Sequence, residues 1–430
     1  MKKKILVAAL AGVMAFSMTA CGSKKAETEA PATEATTAAA EAETEEKATE
    51  AESETQAAEA ESETSSAAQS ETETTTAANG DYKIAMVTDS GDITDQSFNQ
   101  TTYEACKAFA EANGVDFNYY KPDSDSDEAR IAAVDQACAE GYNIIVLPGY
   151  LFGATLREES PAYPDVKFIA LDMSEADLRG DQADVDLSEV YNTENTYCAI
   201  YQEELPGYMA GYAAVKMGYK HLGFLGGMSV PAVIRYGFGF VQGANAAAVE
   251  LGIEGEVTVE YAYGGQFYGD ADITAAMDTW YSTNGVEVVF ACGGGIYTSA
   301  AEAAAKVGGK VIGVDSDQAP VIDAYGEGMT VTSAMKGLAP TVNTLLSAIV
   351  LEDTWADYVG KIDNLGLVSE NPEENYVQLP LESTQWSDTF TQDDYKALVA
   401  SMVAGDVTVD NGIETMPETA ITVNDLGNIK

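Results

Sequence analysis

Residues 89–100 read DSGDITDQSFNQ, and this stretch decides how the rest of the chain is interpreted. It follows an apolar run, YKIAMVT, and precedes a helical pattern, TTYEACKAFAEANG. A strand, a turn and a helix in that order form the repeating unit of parallel α/β folds. The turn contains three acidic residues, a Phe and an Asn, and a simple connection between a strand and a helix does not require these side chains. We therefore expect a loop that contacts a ligand.

Strand-like and helix-like patterns continue to alternate in two series, 82–196 and 203–320. Such alternation predicts parallel sheets joined by right-handed crossovers. We therefore predict an α/β fold with an N-terminal lobe, 81–200, completed by about 326–360, and a C-terminal lobe, 201–325, completed by about 361–430. The spacing of apolar residues predicts helices at 98–113, 126–140, 152–161, 203–217, 231–251, 270–284 and 296–307.

Residues 1–21, MKKKILVAALAGVMAFSMTAC, have the basic start, the short apolar segment and the small residues of a secretory signal peptide. The end of this segment, SMTAC, resembles the lipobox of bacterial lipoproteins. We therefore expect Cys21 to be lipidated and to anchor the protein to the extracellular side of the cell membrane. The alternative is an ordinary cleaved signal with an incidental Cys. Residues 22–80 consist almost entirely of Ala, Thr, Glu and Ser, which predicts a disordered acidic tether.

Charge and cysteine content argue against several classes of function. A net charge of -48 argues against nucleic-acid binding, because that function requires basic patches. Neither the single His221 nor the cysteines that follow Cys21 form a CxxC or Cys/His spacing, so we expect no metal site and no cofactor. The sequence leaves open whether disulfides form among Cys106, Cys138, Cys198 and Cys292.

Polar and glycine-rich segments follow the strand-like runs. They read TDSGDITDQSFN, LPGYLFG, ALDMSE, GGMSVP, YGGQFYGD, ACGGG and GVDSDQ. In open parallel sheets, ligands bind outside the carboxyl ends of the strands. Repetition of this pattern in both series predicts one ligand-binding cleft rather than a set of ordinary turns.

Several segments, taken in order, resemble the basic membrane protein family of bacterial lipoproteins, the purine-nucleoside-binding proteins of ABC importers. They include VTDSGDITDQSFNQ, YPDVKFIALD, GYMAGYAA, NGVEVVFACGGG, GVDSDQ and VTSAMKG, and the resemblance covers nearly all of 82–430. It implies a type I periplasmic-binding-protein fold, in which two Rossmann-like lobes close around one ligand. It also implies a monomer without catalytic activity, which delivers a purine nucleoside to an ABC permease in the membrane.

The resemblance implies roles for individual residues. Phe98 and Phe267 would stack on the purine base, with Tyr268 as the alternative to Phe267. Asp89 would accept hydrogen bonds from the base. Asp315 would hold both ribose hydroxyls, with Lys336 nearby. Further contacts are implied at Ser90, Asn99, Gly149 and Asp172, and a close approach of the backbone to the sugar at Gly293 and Gly294.

Three of the implied roles have a structural alternative. Phe98 has the position of a first-turn helix residue that packs on the sheet, and Asp89 and Asp315 have those of turn or helix-capping acids. Two other functions also stay open at this point. A type I binding protein for sugars would also use aromatic stacking and contacts between Asp and a diol, and an enzyme that acts on nucleosides is the less favoured alternative.

Overall fold

A computed structural model describes residues 81–182 and 185–430 of the protein. The signal peptide, Cys21 and the tether, which the sequence predicts within residues 1–80, lie outside the described residues. Within the described ranges, none of the helices combines the length and the apolarity that a membrane span requires.

Strands and α-helices alternate along the described chain, as predicted. The strands are β1 Lys83–Val87, β2 Asp116–Tyr120, β3 Ile144–Pro148, β4 Lys167–Leu171, β5 Thr196–Tyr201, β6 His221–Gly226, β7 Thr258–Tyr263, β8 Val288–Cys292, β9 Lys310–Asp315, β10 Thr330–Lys336, β11 Ile362–Leu365, β12 Val377–Gln378 and β13 Thr422–Asn428. The helices are α1 Phe98–Asn113, α2 Asp127–Ala139, α3 Gly153–Ala162, α4 Glu175–Arg179, α5 Leu187–Val190, α6 Glu204–Lys216, α7 Pro231–Leu251, α8 Ala271–Thr279, α9 Tyr297–Ala305, α10 Ala319–Ile322, α11 Leu338–Val350 and α12 Gln392–Val403. The helix predicted over 270–284 is α8 continued by a π-helical turn, Trp280–Asn284.

The strands form two sheets with closely related topologies. The six-stranded sheet has the order β11-β5-β4-β3-β1-β2, and the seven-stranded sheet has the order β12-β10-β9-β8-β6-β7-β13. All neighbours are parallel except β10 and β12. The strand order reverses between β1 and β3 in one sheet and between β6 and β8 in the other. Ligands bind at such switch points, at the carboxyl ends of the strands.

The two segments predicted to complete the lobes do not each stay with one sheet. Strand β10, from the segment 326–360, pairs with β9 in the second sheet, whereas α11 from the same segment packs against the first. Strand β11, from the segment 361–430, pairs with β5 in the first sheet. The prediction was wrong for these two strands. The short helix α10 brings the chain back alongside β9, so β10 extends the parallel second sheet. Strand β11 pairs with the edge of β5, which would otherwise lack a partner strand.

Helices cover both faces of each sheet. In β3, Ile144 and Val146 pack with α1 and α11, whereas Ile145 and Leu147 pack with α2 and α3. Alternate residues of a strand point to opposite faces, so both sets are buried and β3 reads as a continuous apolar run. The sheet faces are therefore occupied by core packing, and the carboxyl ends of the strands are left for a ligand.

Helices α6 and α7 pack closely enough that their contact requires glycine. A Cβ atom at Gly211 would lie 2.1 Å from the carbonyl oxygen of Phe240, and one at Gly243 would lie 2.0 Å from that of Tyr208. The glycines at this contact are four residues apart in each helix and therefore share one face: Gly207 and Gly211 in α6, and Gly239 and Gly243 in α7. This contact matters for the cleft because α6 begins where the chain first crosses to the second lobe, and α7 contributes to the cavity wall.

We expect Gly243→Ala to destabilise the protein. In an open helix this change stabilises by roughly 1 kcal/mol, but here the added methyl group has no space, and overpacking costs about 1–3 kcal/mol. The free energy of unfolding in urea measures the effect. Gly255→Ala is the control, because no atom lies within 4 Å of a Cβ at that position. A Gly243→Ala variant as stable as the wild type would contradict the close packing of α6 and α7.

Candidate functional site

A cavity of about 1000 Å³ lies at the carboxyl ends of strands from both sheets. The structure brings all eleven residues that were implied as ligand contacts into its wall. Their grouping follows from the topology, because each one lies at the carboxyl end of a strand or in the loop and first helical turn that follow it. They are Asp89, Ser90, Phe98, Asn99, Gly149, Asp172, Phe267, Gly293, Gly294, Asp315 and Lys336.

Lys336 lies at the centre of a buried group of charges. It ends β10 and is 5% exposed. Its Nζ lies 2.7 Å from Asp172 Oδ2, 3.3 Å from Glu203 Oε1 and 3.6 Å from Asp315 Oδ1. Burial alone would lower the pKa of Lys336, but the attraction of these carboxylates outweighs burial and raises the pKa above its ordinary value. The side chain is therefore a cation that links both lobes.

Asp172 and Asp315 occupy corresponding places in the two lobes. Asp172 follows β4 and Asp315 ends β9, the fourth strand of each series. Both have a left-handed backbone, with φ of 55° and 64°, which is uncommon for residues other than Gly. Burial raises the pKa of Asp172, against the opposing attraction of Lys336. Asp172 Oδ1 is buried and accepts no hydrogen bond from the described residues, so a hydroxyl or N–H group of a ligand would supply the missing donor.

Asp89 is held in place by the turn that opens α1. Its Oδ1 accepts hydrogen bonds from the Gly91 N–H at 2.7 Å and from Asn99 Nδ2 at 3.1 Å. The Asn99 N–H donates to Asp95 Oδ2 at 2.9 Å, so Asp95 rather than Asp89 caps the helix. Gly149 makes room for the Asp89 carboxylate, since a Cβ there would lie 2.8 Å from Asp89 Oδ2. Burial raises the pKa of Asp89 to about 6.

The ring of Phe98 belongs to both the core and the cavity. It is half-buried against the core of the first lobe and also lines the cavity. Lys336 Nζ lies 5.1 Å from its ring centre and 5.5 Å from the ring centres of Tyr201 and Tyr236. Such cation–π contacts fix the ring orientation. The predicted packing on the sheet is therefore present, and stacking on a ligand stays a prediction.

Phe267 rests on two glycines of the second lobe. A Cβ at Gly227 would lie 2.4 Å from Phe267 Cδ1, and one at Gly293 would lie 3.0 Å from the same atom. Gly293 also has φ of 152°, and Gly294 has φ of 52°. The expected reason for glycine here was the approach of a sugar, whereas the structure shows that Gly293 makes room for an aromatic ring. Tyr268 also lines the cavity but is 63% exposed, whereas Phe267 is partly buried against the second-lobe core.

Hydrogen bonds join the two lobes beside the cavity. Ser97 Oγ donates to Asp315 Oδ2 at 2.7 Å. Ser316 Oγ and Gln318 Nε2 donate to the carbonyl oxygen of Gln96 at 3.2 and 3.0 Å. The start of α1 therefore contacts the segment that follows β9, and the position of the Asp315 carboxylate depends on both lobes.

Sequence reasoning missed several residues of the site. Glu203 is fully buried, and its Oε2 accepts a hydrogen bond from Arg235 Nε at 2.6 Å. One feature of the sequence could have identified Glu203. It is an acidic residue, in QEELPG, at the point where the chain leaves the first series of strands. Arg235 and Tyr236 occur in PAVIRYGFG and line the cavity, as does Tyr150. Ser97 precedes the predicted Phe98, and only the three-dimensional contact with Asp315 identifies it.

Possible metal ligands and cysteines in residues 81–182 and 185–430 do not assemble into metal clusters or disulfides. No group of three or more His, Cys, Asp or Glu side chains in these ranges could hold a metal ion. The question that the sequence left open is also answered there, because the four cysteines are free thiols: Cys106, Cys138, Cys198 and Cys292.

Known proteins are similar to this chain in sequence. The chain is 27% identical over 251 residues to the ABC transporter nucleoside-binding protein BmpA of Lactococcus lactis subsp. cremoris, a match that covers 55% of this chain and 65% of BmpA. The chain thus spans slightly less than two thirds of the length of that relative. It is 25% identical over 293 residues to basic membrane protein B of Borreliella afzelii, covering 66% of this chain and 78% of the relative.

A solved structure confirms the predicted type I fold. An ABC transporter solute-binding protein from Aeropyrum pernix superposes with a TM-score of 0.58 at 22% identity, covering 76% of this chain and 87% of the other. A family model described as ABC transporter substrate-binding protein PnrA-like matches residues 82–397. That family consists of substrate-binding proteins and not of enzymes, as the resemblance implied. The chain belongs to the family of PnrA-like ABC transporter substrate-binding proteins.

Proposed function

We propose that the protein captures purine nucleosides between its two lobes and delivers them to an ABC permease. The observation that carries this proposal is that an aromatic ring from each lobe, Phe98 and Phe267, lines one cavity together with Asp89. Two rings can bind a planar base on its faces, and stacking tolerates different bases. A carboxylate at the edge of the base then selects for ring N–H donors. The name of the BmpA relative, a nucleoside-binding protein, agrees with this ligand class.

The ribose would bind near the buried charges. Asp315 lines the cavity, and Asp172 has a buried oxygen that accepts no hydrogen bond from the described residues. Hydroxyl groups are donors, and hydrogen bonds to a carboxylate are stronger than those between neutral groups. The Ser97 hydroxyl already occupies one oxygen of Asp315. We therefore propose that Asp172 and Asp315 share the ribose hydroxyls, with Lys336 holding both carboxylates in place.

Ligand binding would favour the closed arrangement of the lobes. The contacts of Ser97 and Gln96 with the segment after β9 exist only when the lobes approach each other. A ligand that contacts both lobes binds this state more tightly and shifts the population toward it. We propose that a permease recognises the closed, monomeric protein and that reopening releases the nucleoside.

The stacking role of Phe98 predicts a loss that is similar for all purine nucleosides. Phe98→Ala should weaken the binding of inosine, guanosine and adenosine by about 1–3 kcal/mol each. Isothermal titration calorimetry measures this loss, with ribose and galactose as tests of the sugar alternative. Phe117→Ala is the matched control, since Phe117 is also half-buried against the first-lobe core but does not line the cavity. If Phe98→Ala lowers only the stability and leaves the nucleoside affinity unchanged, the stacking role is contradicted and Phe98 is a core residue.

The raised pKa of Asp89 predicts a dependence on pH that differs between ligands. A ring N–H of inosine needs the ionised carboxylate, so the Asp89 contribution is present above the ligand-free pKa of about 6 and is lost as the pH falls through it. Adenosine has an acceptor at this ring position and should lose less. The ratio of inosine to adenosine affinity should therefore fall by up to about tenfold between pH 7.5 and pH 5.

The control for this measurement is Asp89→Asn, whose side chain does not titrate. Titration of Asp172 affects both nucleosides, so the ratio of their affinities isolates Asp89. A ratio that is independent of pH in the wild type would remove Asp89 from base recognition.

A lipid anchor at Cys21 predicts the location of the protein. Mass spectrometry of the cell-bound protein should find acyl chains on Cys21, and Cys21→Ala should release the protein into the medium, because no other membrane attachment is proposed. Cys138→Ala is the control and should stay cell-bound. Wild-type protein in the medium with an unmodified Cys21 would contradict the anchor.

A further inference from the structure

The segment 406–430 lies beyond residues 82–397, which match the family, and it is bound along the second lobe. Gln242 of α7 exchanges two hydrogen bonds with the backbone of Asp410, both at 2.9 Å. Asn245 of the same helix accepts a hydrogen bond from the Ala420 N–H at 2.8 Å. Ile421 is 5% exposed in the second-lobe core. The segment is therefore fixed to the lobe by packing and by hydrogen bonds.

The direction of β13 leads this segment to the ligand cavity. Strand β13 pairs in parallel with β7, from Thr422 opposite Thr258 to Asn428 opposite Tyr263. The Ile429 N–H then donates to the carbonyl oxygen of Tyr263 at 2.8 Å. Parallel strands end at the same edge of a sheet, and this is the edge where the site lies. The segment also contributes Ile413 directly to the cavity wall.

Lys430 contacts the residues on either side of Phe267. Its Nζ donates to Gln266 Oε1 at 2.9 Å and forms an ion pair with Asp270. Gln266 Nε2 donates to the carbonyl oxygen of Tyr268 at 2.9 Å and to Asp270 Oδ2 at 3.0 Å. The side-chain amide of Gln266 thus connects both ends of the loop that carries Phe267. Lys430 binds the oxygen of the same amide.

We propose that the segment 406–430 is part of the binding site and that Lys430 is a positioning residue, which fixes the loop 264–270 and thereby the Phe267 ring against the ligand. This inference rests on the proposed binding of a purine nucleoside at Phe267. The physical reason is preorganisation, because a ring held in place before binding loses less conformational freedom when the ligand arrives. Removing the Lys430 contacts loosens the loop without removing any group that touches the ligand.

The test compares Lys430→Ala with Lys306→Ala in the full chain. Lys306 is a matched control, because it forms an ion pair with Asp278 at 2.7 Å in the same lobe and does not line the cavity. Amide hydrogen exchange is measured first without ligand. We expect faster exchange at 264–270 in Lys430→Ala only. The affinity for inosine should fall by about two- to fivefold in Lys430→Ala, which is the range expected for the loss of a surface ion pair. The loss should appear chiefly as faster dissociation of inosine. Lys430→Arg keeps the charge and should restore the affinity.

The outcomes separate this inference from the proposed function. Exchange at 264–270 that is unchanged in Lys430→Ala overturns the positioning role, whatever inosine does. Faster exchange with unaltered inosine affinity also overturns it, because the loop would then not matter for the site. Failure of the wild type to bind any purine nucleoside instead contradicts the proposed function, and the exchange experiment still decides whether Lys430 fixes the loop.

Discussion

The buried ammonium group of Lys336 is the constraint on which the rest of the site depends. Desolvation of an isolated carboxylate in this place would cost several kcal/mol. Asp172, Glu203 and Asp315 come from three different parts of the chain, and each is stabilised by the same cation. Glu203 lies where the chain first crosses between the lobes, and Lys336 lies where it crosses back. The charges therefore fix the crossing segments as well as the cavity floor.

This arrangement leaves acceptors in excess of donors at the cavity. Arg235 occupies one oxygen of Glu203 and Ser97 occupies one oxygen of Asp315, but Asp172 Oδ1 has no donor among the described residues. A neutral ligand rich in hydroxyl and N–H groups satisfies such a site, whereas an anionic group would add a further negative charge at close range. The proposed nucleoside fits this electrostatic environment because it supplies donors without a net charge.

The two lobes contribute similar residues to the site, but different contacts hold those residues in each lobe. An Asp with a left-handed backbone stands at the end of the fourth strand in both lobes, and an aromatic ring stands near the switch point in both. The ring of the first lobe is held by Lys336 and by the core. The ring of the second lobe rests on Gly227 and Gly293, and its loop is contacted by Lys430, which lies outside the family match. Similar chemistry is thus supported by different neighbours.

The sequence by itself determined the alternation of strands and helices in the two series and the edge at which the cavity forms. These depend on patterns within 10 to 20 residues, such as the apolar run before Asp89 and the helical spacing after Phe98. In a parallel sheet such local patterns also place the polar residues that follow each strand at one edge. The family resemblance then selected eleven residues from those segments, and all of them line the cavity.

Only the tertiary structure decided which sheet receives β10 and β11, which carboxylates share Lys336, and why Gly293 is a glycine. Ser97 meets Asp315 and Glu203 meets Arg235 across loops and lobes, and Lys430 reaches Gln266 from outside the family match. Such contacts depend on how distant segments pair and pack, and the local spacing of residues carries no information about that pairing.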